Sequence, residues 1–370
     1  MKNHIDMLIV SHNYLCRSVT NSIDGRREIK VFLVAPSLHA PEWRGIVEDK
    51  QEMTLKQYRF QVKSCRRARG GVLLETNEGP RLLREYSRMT SHFDLENQVK
   101  DFLRDKGMSR LDFAVPNMEG NYVTEWESGE KFVVYEWYRG EECDLKNNQQ
   151  LREMAENLGI LHLKLKNYLD KPVALEEQLF HQYDRHNKEL KRVYQFMKNK
   201  KRKSEFEIKA ITCYPAFVKQ AQLAKQALER STFYKKYGQY TQDICHGEYN
   251  YHNLIQTGEG LATTNFEHCA PGIQVMDFVY FMRKSMEKNR WDADKGRAIW
   301  EGYATATDAS EEQKEFVITT MSYPFKYWKL LNQYMNRKKT WLSDKSMEKL
   351  KAVCEQEEWK TNFLYTMRSF

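Results

Sequence analysis

The spacing of apolar positions changes character near residue 138. Between 57 and 137, short apolar runs alternate with turn residues. They are Tyr58 to Cys65, Gly71 to Thr76, Arg81 to Tyr86, Tyr122 to Trp126 and Lys131 to Trp137. Runs of this length, rich in β-branched and aromatic residues, predict strands. The basic stretch Arg66-Arg67-Ala68-Arg69-Gly70 is expected to turn between the first two, Asn77-Glu78-Gly79 before the third, and Ser128-Gly129 between the last two. One amphipathic helix interrupts them, with Leu95, Val99, Phe102 and Leu103 on one face and Gly107 placed to end it. After Gly140, Leu151, Met154, Ala155, Leu158, Leu161 and Leu165 recur at helical spacing. Helical patterns then dominate, apart from short apolar strands near Ile244 and Leu254. Residues 1–50 yield one strand, Ile29 to Ala35, and a turn at Ala40-Pro41. The pattern predicts an α+β chain with 1–50 unassigned, a small β-rich lobe over 51–137 and a larger, mainly helical lobe over 138–370.

Composition narrows the classes. A length of 370 residues favours two domains, or two lobes of one enzyme-like fold. Only 17 Gly and 8 Pro exclude a collagen-like or linker-rich chain, and 21 Tyr with 8 Trp exclude wholesale disorder. The seven cysteines form no CxxC pair and are odd in number, so reduced thiols are expected and neither a disulfide framework nor a zinc ribbon. No apolar run approaches a membrane span, and Met7 to Val10 is too short for a signal-peptide core. A protein that is cytoplasmic at synthesis and has no membrane partner is expected. The net charge is +8, and most of it comes from one segment: 181–210 holds ten Lys or Arg against four acids. A solvated helix face is the expected reading. An anion patch is the functional alternative, but no nucleic-acid motif accompanies it, so nucleic acid is not the expected partner.

Chemistry concentrates in Ile244-Cys245-His246-Gly247-Glu248-Tyr249-Asn250-Tyr251-His252-Asn253, followed by Asn265-Phe266-Glu267 and then Met276-Asp277-Phe278. This succession resembles the kinase-like phosphotransferases: aminoglycoside phosphotransferases, choline kinases and, most closely, the bacterial spore-coat CotS family. Their catalytic loop reads His-Gly-Asp, four residues, then Asn; an Asp-Phe-Asp or Asp-Phe-Glu metal motif and a structural Asp follow. Upstream, Gly79 to Arg84 resembles the turn and third strand from which a Lys reaches the nucleotide phosphates, and Tyr135 to Glu141 resembles the hinge. The resemblance covers about residues 57 to 365. It implies a protein-kinase-like bilobal fold, with Glu248, His246, Asn253 and Asp277 at the catalytic positions. Arg84, Glu96, Glu136 and Trp137 would face the nucleotide, and Asn253, Asn265 and Glu267 would face the metal. The implied cofactors are ATP and Mg²⁺, and the implied partners are other spore-coat proteins or a small-molecule substrate.

The departures from the pattern are chemical. Phosphoryl transfer depends on a metal clamp, a cation at the phosphates and a carboxylate that orients the attacking hydroxyl. Glu248 stands where the family has Asp, which displaces the carboxylate by about 1.5 Å, one carbon–carbon bond; a misplacement of ~1 Å can cost on the order of 100-fold in rate. Asn265 replaces the metal-binding Asp, and Mg²⁺ sites normally use one or two carboxylates. On a strand, Glu267 would point the same way as Asn265 and could substitute for that carboxylate. Arg84 replaces the phosphate-reaching Lys, with Glu96 as its expected partner. His252 and His268 lack ligand spacing and read as loop histidines. The expectation is a degenerate kinase fold with a structural or assembly role in the spore coat. The alternative is an active phosphotransferase on a sugar or amino alcohol.

Overall fold

The computed structural model describes residues 6–10, 13–21, 27–33, 49–68, 70–336 and 344–370. The chain divides into two compact units, Met1–Ser87 with Ala114–Trp137, and Arg88–Phe113 with Tyr138–Phe370. The predicted helix around Leu95 therefore groups with the larger unit, although its sequence lies among the strands of the smaller one.

In the smaller unit, β1 (Asp6–Val10), β2 (Asn13–Asn21) and β3 (Arg27–Leu33) form an antiparallel meander. The expected strand at Ile29 begins earlier; its end at Ala35 and the turn at Ala40-Pro41 lie outside the described residues. Helix α1 (Asp49–Leu55) follows, then β4 (Val62–Ala68), β5 (Gly71–Thr76) and β6 (Gly79–Glu85). Beyond the inserted helix come β7 (Ala114–Val115), β8 (Val123–Glu125) and β9 (Lys131–Glu136). The sheet runs β4-β5-β6-β9-β7, with β8 also on β9. Its core gathers Leu55, Tyr58, Phe60, Val72, Leu74, Leu83, Phe132 and Val134. Burying each such aliphatic or aromatic side chain stabilises the fold by about 1.5–3 kcal/mol.

The first strand departs from expectation. Tyr58 and Phe60 are buried, but they sit in the turn after α1 with ring centroids 5.3 Å apart. Their alternation reflects two core anchors, not a pleat. The strand starts at Val62 and absorbs Arg66, Arg67 and Ala68, which the pattern placed in the turn. The turn itself uses Gly70 at φ +74°, and a Cβ on Gly71 would lie 2.3 Å from the Leu83 carbonyl oxygen. That close approach leaves room for the Arg84 side chain, whose guanidinium lies beside Gly70. Register places Arg84 opposite Val133 and Arg81 opposite Glu136, and the Trp137 N–H donates to the Pro80 carbonyl at 3.2 Å.

The larger unit begins with α2 (Thr90–Asp105), β10 (Glu141–Glu142) and α3 (Asn148–Leu165). The apolar face predicted around Val99 and Leu103 is buried, and Gly107 adopts φ +81° just beyond the end of α2. Next come β11 (Val173–Ala174), α4 (Leu179–Asn199), α5 (Glu205–Arg230), α6 (Thr232–Tyr237), β12 (Tyr240–Thr241), β13 (Ile244–Cys245), β14 (Leu254–Thr257), β15 (Gly260–Thr263) and β16 (Ala270–Pro271). Helices α7 (Val275–Lys288), α8 (Ala293–Thr307), α9 (Glu311–Ser322), α10 (Phe325–Met335), α11 (Asp344–Glu355) and α12 (Glu357–Thr366) complete it. Three small antiparallel ladders, β10-β14-β15, β11-β12 and β13-β16, hold the loops that carry the motif residues. No helix among the described residues is long and apolar enough to cross a membrane.

The basic segment spans α4, a five-residue link and the start of α5. Ser204 caps α5 with Glu207 in a reciprocal capping box. Several of its charges are already paired: Lys188 with Asp184 at 2.6 Å, Arg185 with Glu177, and Lys200 with Glu207 at 2.6 Å. Lys191, Arg192, Lys201, Arg202 and Lys203 are exposed.

Helices α3 and α8 approach closely where a glycine on each faces the other helix. A Cβ on Gly302 would meet the Arg152 carbonyl oxygen at 2.3 Å, and one on Gly159 would meet the Ala306 Cβ at 2.6 Å. Gly302→Ala is therefore expected to destabilise the protein by about 1–3 kcal/mol through overpacking. Urea denaturation should show a lower midpoint with an unchanged slope. Gly258→Ala, at a site with no heavy atom within 4 Å of the added carbon, should leave the midpoint within error.

Candidate functional site

The motif residues converge in the larger unit on one carboxylate. Asp277, in the first turn of α7, is 5% exposed. Its Oδ2 accepts the His246 N–H at 2.6 Å and its Oδ1 accepts the Gly247 N–H at 3.0 Å. Two consecutive backbone amides on one carboxylate fix the loop that leaves β13. Gly247 can make this bend because it adopts φ +80°, and any Cβ there would lie 2.0 Å from the His268 carbonyl oxygen. His162 approaches the same carboxylate, with Nε2 3.5 Å from Oδ2, and the Tyr303 hydroxyl lies 2.9 Å from its Nδ1.

His246 is fully buried and serves as a brace. Its Nδ1 accepts the Glu248 N–H at 3.2 Å, so Nε2 carries the proton and donates to the Thr264 carbonyl at 3.1 Å. Burial lowers its pKa, which keeps the ring neutral, as both hydrogen bonds require. Asn253, in a 3₁₀ turn (Tyr251–Asn253), donates Nδ2 to the Glu248 carbonyl at 2.8 Å, and Asn250 donates to the same oxygen at 2.8 Å. The Asn253 carbonyl in turn accepts from Thr264 N–H at 2.9 Å and Thr264 Oγ1 at 3.1 Å. The loop and the segment after β15 are thus stitched together.

Asn265 sits at the junction in the left-handed conformation, φ +67° and ψ +58°. Asn tolerates this region better than most residues. Its N–H donates to Asp112 Oδ2 at 2.7 Å, and its Nδ2 donates to Glu248 Oε2 at 2.9 Å. Phe266–His268 then forms a 3₁₀ turn rather than a strand. The expectation that Glu267 shares a strand face with Asn265 is therefore not met, because a left-handed residue followed by a turn breaks period-two alternation. The Glu267 carbonyl accepts from His92 Nε2 at 2.6 Å.

Glu248 is partly exposed, with 36% of its side chain accessible. Besides Asn265, it faces His268, whose Nε2 lies 3.6 Å from Oε2, and the other ring nitrogen of His268 accepts from Arg88. His268 and Arg88 had no sequence signal that distinguished them from loop residues. His252 lies apart, with its Nδ1 3.2 Å from Glu142.

Glu96 belongs to the larger unit. It is fully buried on α2 and forms a 2.7 Å ion pair with Lys100, one turn on. Lys100 also lies 3.2 Å from Asp112 Oδ1 and donates to the Asp112 carbonyl at 2.6 Å. This ion pair lies wholly within the larger unit. Burial pulls the Lys100 pKa down, but Asp112 and Glu96 outweigh it and hold it above the ordinary lysine value. Burial pushes the Asp112 carboxyl up against the pull of Lys100. Lys100 and Asp112 went unread in the sequence, although Glu96 and Lys100 have the i, i+4 spacing of a helical ion pair.

The donors do not suit a hard divalent cation, which takes oxygen ligands and usually carboxylates. Both candidate amides turn their nitrogens toward Glu248, one to its carbonyl and one to its carboxylate. Among the described residues, no three His, Cys, Asp or Glu side chains converge as a metal cluster. Arg84, Glu136 and Trp137 lie in the smaller unit, on β6 and at the end of β9.

Residues 51–367 match the family described as "Spore coat putative kinase YutH". The chain belongs to that family. As a member of this CotS-like spore-coat kinase family, it shares its fold with phosphotransferases of solved structure. The aminoglycoside phosphotransferase from Alicyclobacillus acidocaldarius subsp. acidocaldarius DSM 446 superposes with a TM-score of 0.74 at 14% identity, covering 85% of this chain and 94% of that one. Spectinomycin phosphotransferase, in complex with ADP and spectinomycin, has a TM-score of 0.58 at 11% identity, with 86% and 97% covered. Amicoumacin kinase, in complex with AMP-PNP, Ca²⁺ and Ami, has a TM-score of 0.57 at 11% identity, with 88% and 96% covered. The fold is α+β and protein-kinase-like, with a small β-rich lobe and a larger, mainly helical one.

Lys100→Met would leave two carboxylates buried without their cation. A loss of about 3–5 kcal/mol is expected, measured by denaturant unfolding. The pH dependence has a definite sign. The folded pKa of Lys100 is raised, so its contribution is complete at neutral pH and is lost as pH rises through that folded value. The variant should lack this alkaline loss.

Proposed function

We propose that this family member acts in the spore coat as a binding or assembly module built on a degenerate kinase fold, with weak or no phosphoryl transfer and with other coat proteins as partners. One observation carries this reading: Asn265 Nδ2 donates to Glu248 Oε2 at 2.9 Å. A carboxylate only accepts hydrogen bonds when ionised, so the amide nitrogen must be the atom facing it. The side chain at the metal position thereby satisfies the base position directly, as a neutral donor. A metal clamp would require an oxygen, and a negative one, at that point. The Asn253 amide nitrogen is likewise held by the loop, so only its Oδ1 could serve a cation.

A second reading is favoured by the intact brace around Asp277 and by the exposure of Glu248. These keep a carboxylate available to orient a hydroxyl. In that reading the protein phosphorylates a small hydroxylated substrate such as a sugar or amino alcohol. Glu248 would be the base.

Titration calorimetry with ATP, with and without Mg²⁺, separates the two. The wild type is expected to bind weakly and without dependence on Mg²⁺. Asn265→Asp should gain a Mg²⁺-dependent component at least about tenfold tighter, 1.4 kcal/mol, because it restores the missing charge. Mg²⁺-dependent transfer by the wild type that disappears in Glu248→Ala and Asn265→Ala would sink the assembly reading in favour of the enzyme.

A further inference from the structure

The cysteines of the larger unit divide into two kinds. Cys143, Cys245 and Cys269 are buried, and burial raises the pKa of each, to about 12 for Cys143 and Cys269. Cys213 and Cys354 are set apart by exposure and by position. Each is partly exposed, and the two sulfurs face each other, with the Cys354 S–H donating to Cys213 Sγ at 2.7 Å. This separation is well inside ordinary contact for two sulfurs that are not bonded, so closing it needs little movement of either helix.

The local structure can absorb that movement. Cys213 lies in the interior of α5, two residues before Pro215, whose ring removes a helical N–H donor. Cys354 is the second-last residue of α11, where a helix is least constrained. The two cysteines are 141 positions apart in sequence, so a bond between them would close a long loop.

We propose that Cys213 and Cys354 form a reversible disulfide that pins α11 to α5 when a low-molecular-weight disulfide serves as oxidant. The thiolate of one cysteine attacks oxidised glutathione, forms a mixed disulfide and releases one glutathione thiolate. The second cysteine gives its proton to water and displaces the remaining glutathione as thiolate. Two S–H groups are oxidised to one S–S bond, and the S–S bond of the oxidant is reduced to two thiols. Burial, together with the neighbouring Cys213, holds the Cys354 thiol well above its ordinary value. The reaction is therefore slow at neutral pH and quickens as pH rises.

The test uses the full chain incubated with oxidised glutathione at pH 7 and pH 9. Two alkylatable thiols should be lost per chain, faster at the higher pH. Peptide mapping by mass spectrometry should find the peptides containing Cys213 and Cys354 joined, and dithiothreitol should release them. The melting temperature should rise by roughly 5 °C and fall back on reduction. Cys213→Ser and Cys354→Ser should each abolish both the joined peptide and the rise. Stable glutathione adducts on either residue without the joined peptide would overturn the proposal, as would a thermal shift that persists in both serine variants.

Discussion

A buried carboxylate that must be neutralised organises the motif region. Asp277 is taken almost wholly out of water by α7, and an unpaired charge there would cost several kcal/mol. It is compensated by the backbone amides of His246 and Gly247, which belong to a loop thirty residues earlier. Satisfying one group therefore sets the path of another segment. Once that path is set, His246 can reach Thr264 with one ring nitrogen and hold Glu248 with the other. The Asn253 and Asn250 amides close the loop on the Glu248 carbonyl. The loop that carries Glu248 is thus braced at both ends in this spore-coat kinase family member.

The second buried ionic group gives the site its particular character. Lys100 sits between Glu96 and Asp112, and Asp112 also receives the Asn265 N–H. This chain of charges runs from helix α2 to Asn265. It holds Asn265 in a left-handed conformation, from which its amide meets Glu248. The Asn265–Glu248 pairing is complete within the protein and lies at the end of a buried network that resists rearrangement.

Much of this was legible in the sequence. The change of apolar period near residue 138, the helices over Leu95–Leu103 and Leu151–Leu165, and the hairpin strands from Gly71 onward follow from side-chain spacing, because burying one face imposes that spacing. His246, Glu248, Asn253, Asn265 and Asp277, singled out by their order and spacing along the chain, are brought together by the fold. The errors arose where local pattern and tertiary role diverge. Tyr58 and Phe60 alternate like a strand, yet they anchor a turn after α1. Glu267 follows Asn265 at strand spacing, yet the left-handed residue before it starts a 3₁₀ turn.

By itself, the sequence determined which residue types are available at the site: a Glu in place of an Asp, two amides, and no carboxylate at 265. Those identities limit the chemistry before any folding, because a neutral amide cannot supply charge. Only the tertiary structure decided how the groups are used. Whether an amide offers its oxygen or its nitrogen depends on what faces it, and the carboxylate of Glu248, seventeen residues away, faces Asn265. Whether a lysine is a surface charge or a buried counter-ion depends on burial, which brings Asp112 beside Lys100 from the segment beyond α2. Composition and spacing specify donors and acceptors, but their pairing is set by long-range packing, since desolvation makes each buried group take the partner that the fold brings within reach.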